Sequence, residues 1–142
     1  MKGRDDDDGR RGRGEKAALG LEIVVAYVRA RRELRRAPID QVVERLRPLE
    51  PGEASPPGPD EREEARSLGW VVVRTLRFLP GDTRCLRRSL VLLQLLARRR
   101  IPSRLVIGVR TRPDFLGHAW VECGGVPVLS PLDGSFGRLV EL

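Results

Sequence analysis

The stretch "TRCLRRSLVLLQLLARRRIPSRLVIGVR", residues 83 to 110, limits the possible folds more than any other part of the chain. Leu86, Leu90 and Leu93 fall on one helical stripe, and Cys85, Ser89, Leu92 and Leu96 on the neighbouring one. A helix with so broad an apolar face has to be covered on several sides. "PGDT" just before it supplies a turn, and Asp82 or Thr83 is placed to cap the helix, which puts Cys85 in the first turn. "RRRIP" ends it. The β-rich segments "SRLVIGVR" and "HAWVEC" follow, and "VPVL" comes after "GG", the signature of a hairpin with a two-residue turn. A buried helix followed by three short strands reads as α+β.

More helices are expected in front. From Glu15 to about Arg36 the apolar positions Leu19, Ile23, Tyr27 and Val28 have helical spacing, and Pro38 opens a second short helix, "PIDQVVERLRPL". "EPGEASPPGPD" breaks the pattern as a surface loop. A third helix is expected from about Glu61, with an acidic first turn that suits the helix dipole, running through Trp70, Val73 and Leu76 to Phe78. Residues 1–14, "MKGRDDDDGRRGRG", read as a disordered charged tail with no apolar signal-peptide region. The expected division is a tail over 1–14, a helical part over 15–80 and a core over 81–142, with 15–142 as a single domain.

Composition narrows the function classes. The longest apolar stretch, "AALGLEIVVAYV", is short and interrupted by Glu22, so no membrane partner is expected and the reading is a cytoplasmic protein. Two cysteines in that compartment seldom form a structural disulfide. The net charge of +7 raises nucleic acid as a partner. Against it, aromatic residues for base stacking are scarce and no helix-turn-helix, zinc or RNA-recognition signature is present. A nucleic-acid-binding module on the arginine-rich stretch remains the alternative from another class, and a solvated basic surface is the plain explanation.

Cys85 at a helix start lies among free backbone N–H groups, with Arg84, Arg87 and Arg88 adding positive charge; both favour an anionic sulfur. Read alone, it is a packed structural cysteine. The sole histidine, His118, lies on a later strand, and a nucleophilic cysteine needs such a base, itself oriented by a third group. With Gly124 and Gly125 as the turn, Cys123 faces Val126, and counting back sets His118 opposite Pro131. Strand alternation then makes Asp133 a diagonal neighbour of His118 and points Ser130 away; a bulge at Pro131 would exchange the two. Glu122 shares the face of His118 but sits roughly 13 Å along the strand. The candidate catalytic set is Cys85, His118 and Asp133, with Cys123 as a bystander. One histidine and two cysteines make no convincing zinc site.

These residues resemble a family. A cysteine heading a helix, a histidine on a following strand and an aspartate on the next is the arrangement of the transglutaminase-like, papain-type thiol enzymes. Within them, "CLRRSL", "RRRIPSRLVIGVR" and "HAWVE" are similar to the lasso-peptide leader peptidases, over roughly residues 80 to 133. The resemblance implies N-terminal helices, then a catalytic helix packed on a small antiparallel sheet, with Cys85 as nucleophile and His118 as base. It implies a protease that removes the leader from a ribosomally made lasso-peptide precursor, with no cofactor. It further implies a separate leader-recognition protein acting in trans, and an ATP-dependent lasso cyclase that uses the product. An inactive transglutaminase-like scaffold is the remaining alternative. Arg98, Arg99 and Arg100 are expected to meet acidic groups on the leader or on the partner.

Overall fold

The structure is a computed structural model that describes residues 12–46, 55–78, 85–128 and 136–142. Four helices, α1 (Arg13–Leu34), α2 (Ile39–Leu46), α3 (Pro59–Leu76) and α4 (Cys85–Arg98), precede four strands in an α+β order among the described residues. The strands are β1 (Arg104–Arg110), β2 (Leu116–Cys123), β3 (Val126–Pro127) and β4 (Gly137–Glu141).

Helix α4 is the centre. Every residue from Ser89 to Ala97 is buried, so polar side chains within it have to find partners inside. Gln94 donates to the carbonyls of Ala26 (3.0 Å) and Leu90 (3.2 Å), which ties α4 to α1. One group of core residues joins Ile23 and Tyr27 of α1, Leu68, Val72 and Leu76 of α3, Leu92, Leu95 and Leu96 of α4, and Val121 and Cys123 of β2. A second joins Ala30, Val42, Val43 and Leu46 to Leu90, Leu93, Leu105 and Ala119. Each fully buried leucine of α4 stabilises the fold by about 1.5–3 kcal/mol relative to exposure. The helix stops at Arg100, which takes the left-handed conformation (φ 56°). The N–H of Ile101 bonds Leu96 O and that of Arg100 bonds Ala97 O, a Schellman stop before Pro102.

The sheet is antiparallel, in the order β3-β2-β1-β4. Gly124 (φ 62°) and Gly125 (φ 78°) make the expected two-residue turn, and Cys123 pairs with Val126. Strand β4 was not foreseen. Its five residues are all exposed, so "GRLVE" shows no buried face for a pattern to report; pairing with β1 alone makes it a strand.

Two expected stripes shift. On α3 the buried face is Ala65, Leu68, Gly69, Val72 and Leu76, whereas Trp70 (68% exposed) and Phe78 (75%) face outward. The small residues Ala65 and Gly69 let α3 approach its neighbours closely, and that packing outweighs the larger rings. On α1 the buried residues are Ile23, Ala26, Tyr27 and Ala30, and Val28 points outward. Helix α3 begins two residues before Glu61, with Pro59 in its first turn and the Glu61 carboxylate accepting the Gly58 N–H (3.0 Å). Two of the three arginines expected to meet a partner's acidic groups are engaged within the chain, Arg99 closely and Arg98 at longer range. Arg99 grips both carboxylate oxygens of Glu22 (3.2 Å each) and lies 3.7 Å from Glu64, while Arg98 lies 3.6 Å from Glu22. Carboxylates of α1 and α3 thus hold Arg99 within the chain.

Candidate active site

Cys85 is the first residue of α4, half-buried, and packs with Leu86 against the core group that contains Leu90 and Ala119. His118 is the third residue of β2, half-buried and paired across the ladder with Gly108. The helix start and this strand are locked by one hydrogen bond. The Ser89 hydroxyl, one turn beyond Cys85, donates to the carbonyl of Ala119, the residue after His118 (3.1 Å). Further along, Leu92, Leu95 and Leu96 share the core group of Val121 and Cys123, so α4 and β2 run in the same general sense. Cys85 stands about 6 Å along the helix axis before Ser89. The hydrogen bond thus ties the second turn of the cysteine-headed helix to the residue that follows His118.

Strand alternation turns Ala119, Val121 and Cys123 towards α4 and sets His118, Trp120 and Glu122 on the opposite face. Cys85 packs on the Ala119 side of the strand. Val121 O accepts the N–H of Val128 (2.9 Å), and by the ladder's alternation Ala119 O points to the same side of β2. Ser89 of α4 reaches β2 through that carbonyl.

On its own face His118 is enclosed by aromatic rings. Trp120 stacks on it (5.9 Å between centroids, 22°), and Phe136, just before β4, tilts against it (5.3 Å, 42°). The guanidinium of Arg110 lies over the Phe136 ring at 5.5 Å. Burial pushes the imidazole below its ordinary value of about 6.5, which keeps it in the neutral form that can accept a proton. Gly108, beneath the rings, has no room for a side chain. A Cβ there would lie 2.7 and 2.8 Å from the Trp120 ring and 2.9 Å from Gly137 O.

Glu122 is occupied elsewhere, as its position along the strand implied. It accepts Trp120 Nε1–H (3.0 Å) and two guanidinium N–H groups of Arg138 (2.8 and 3.1 Å). Cys123 is buried, with a thiol pushed up by burial and by Glu61, partly offset by Arg62. Asp133, Ser130 and Pro131 lie outside the described residues, as do Asp82 and Thr83. The register on which the expected placement of Asp133 rests is observed at Cys123–Val126 and continues to Val121–Val128. Sequence reasoning missed Ser89 as a locking residue, although a hydroxyl on the same stripe as Cys85 was its signal. It also missed the rings around His118, since Phe136 comes from a strand that the sequence did not reveal.

A cysteine-headed helix on an antiparallel sheet is the core of a known family. Residues 24–141 match the family model of the Transglutaminase-like superfamily, and the chain belongs to that superfamily. It is also similar to the microcin J25-processing protein McjB of Escherichia coli, with 54% identity over 64 residues, 45% of this chain and 28% of McjB. That similarity bears out the resemblance carried by "CLRRSL" and "HAWVE". The chain matches less than a third of McjB's length. No solved structure matches the chain. Among the described residues no helix is long and apolar enough to cross a membrane, and no group of three His, Cys, Asp or Glu could hold a metal ion.

Proposed function

We propose that the protein is a cysteine protease that removes the leader from a ribosomally made lasso-peptide precursor. The observation that carries this reading is the Ser89–Ala119 hydrogen bond, which ties the helix headed by Cys85 to the residue after the only histidine. The superfamily and the similarity to a microcin-processing protein support it.

In this reading the Cys85 sulfur attacks the scissile carbonyl and forms a thioester, with the tetrahedral oxygen received by backbone N–H groups at the start of α4. His118 takes the thiol proton and gives it to the leaving amine. It then draws a proton from water, which attacks the thioester and frees the leader's carboxylate. Asp133 is the proposed group that orients the imidazole. A separate leader-recognition protein delivers the precursor, and an ATP-dependent cyclase consumes the freed amine. The setting proposed is the cytoplasm.

The test is cleavage of the precursor by the purified protein together with the leader-binding partner, followed by mass spectrometry. Cys85→Ala and His118→Ala are each expected to abolish cleavage, because the two act as one unit. Asp133→Ala should cost less and Ser130→Ala little. A folded Cys85→Ala protein that still cleaves would overturn the proposal and leave the scaffold or nucleic-acid readings.

A further inference from the structure

Around His118 the outer face of the sheet carries more order than a base alone needs. The Trp120 ring lies across Gly108, a position that no side chain could share with it. Its Nε1–H is held by Glu122, and Glu122 is held in turn by Arg138 of β4, so three strands fix one indole. Phe136 meets both rings, 5.3 Å from His118 and 6.5 Å from Trp120, and Arg110 lies against it. The imidazole therefore has a flat neighbour on one side and a tilted ring on another, both tied to the sheet.

We propose that Trp120 and Phe136 are positioning residues for His118: their rings hold the imidazole in the plane from which it serves Cys85, and the Arg138–Glu122–Trp120 contacts hold the rings. The inference rests on the assignment of Cys85 and His118 as nucleophile and base. The physical reason is that an imidazole rotating about its last side-chain torsion spends most of its time misdirected. Proton transfer requires the ring nitrogen to stay within hydrogen-bond reach and in line. Misplacement of a reacting group by about 1 Å costs roughly a hundredfold in rate. Among the described residues the charged groups on these strands are Arg104 and Arg110 of β1, Glu122 of β2, and Arg138 and Glu141 of β4.

Because His118 is the only histidine, its Cε1–H signal can be followed by NMR in the intact protein without substrate. In Phe136→Leu that signal should move towards the position of an exposed histidine, as the ring-current shift is lost, and its titration should rise towards that of a free imidazole. In the cleavage assay kcat should fall by about tenfold or more with KM little changed. Phe136→Tyr should restore both. Trp120→Phe keeps a ring but loses the donor to Glu122, and should shift the signal the same way to a smaller extent. This gives a second test should Phe136→Leu fold poorly. A folded Phe136→Leu protein with the parent's Cε1–H shift and titration would overturn the proposal, and so would a fall in kcat without any change at His118. If the parent itself cleaves nothing, the protease reading fails while the NMR arm still decides the role of the rings.

Discussion

Helix α4 meets strand β2 along one line, but the two ends of that line differ in kind. At one end Leu92, Leu95 and Leu96 close over Val121 and Cys123, and the cysteine is 1% exposed. At the other, Cys85 is half-buried at a helix start and the contact is made by a hydroxyl on a strand carbonyl. The chain thus holds two cysteines on one packed interface, one buried and one half-buried at a helix start. What separates them is access and company. Cys123 is buried in the core, with burial and Glu61 pushing its thiol up, whereas Cys85 sits half-buried where a helix begins. The packed end and the Ser89–Ala119 hydrogen bond together fix α4 on β2.

The largest expected effect sets the two thiols directly against each other. Cys85→Ala should reduce precursor cleavage to background. Cys123→Ala should cleave at nearly the parent rate and lose only about 0.5–3 kcal/mol of stability, read by urea denaturation. Equal losses of activity in the two variants would erase the distinction drawn between the ends.

A smaller effect is expected at the joint between them. Ser89→Ala leaves the buried Ala119 carbonyl without its hydroxyl donor, at a cost of about 1–3 kcal/mol. It also frees the turn that carries Cys85, so cleavage should fall by roughly tenfold even at temperatures where the variant is fully folded. Parent-like stability and cleavage together would show that the hydrogen bond does not set the geometry.

The pH dependence of stability should show the smallest change. Burial lowers the His118 pKa in the folded chain, so the protonated form is disfavoured there. Above about pH 6.5 the imidazole is neutral in both folded and unfolded chains and stability is unaffected. As the pH falls through the folded-state value, the unfolded chain binds the proton more readily and stability is lost. His118→Gln should lack this component, so its melting temperature should drop less than the parent's between about pH 7.5 and about pH 5.5. An equal drop in both would remove the buried imidazole from the account.

How much of this was legible in the sequence follows from which residues leave a periodic trace. Helix α4, the hairpin register and the placement of Cys85 at a helix start could all be read, because an apolar stripe and a "GG" turn report burial and geometry locally. The outward turn of Trp70 and the inward turn of Ala65 and Gly69 could not, since close helix packing selects small residues that a hydrophobicity pattern undervalues. Nor could the exposed strand β4, and with it Phe136 stayed hidden from any reading of His118. The arginines of α4 looked like a surface awaiting a partner because Glu22 lies 77 positions away in sequence from Arg99.

The most direct test of the central claim, that the Cys85 thiol performs the cleavage, is a titration with iodoacetamide in which site occupancy is mapped by peptide mass spectrometry and precursor cleavage is measured on the same samples. The predicted result is that Cys85 is modified well before Cys123 and that residual cleavage falls in proportion to the fraction of Cys85 alkylated. Cleavage that persists with Cys85 fully modified, or that is lost only as Cys123 reacts, would contradict it.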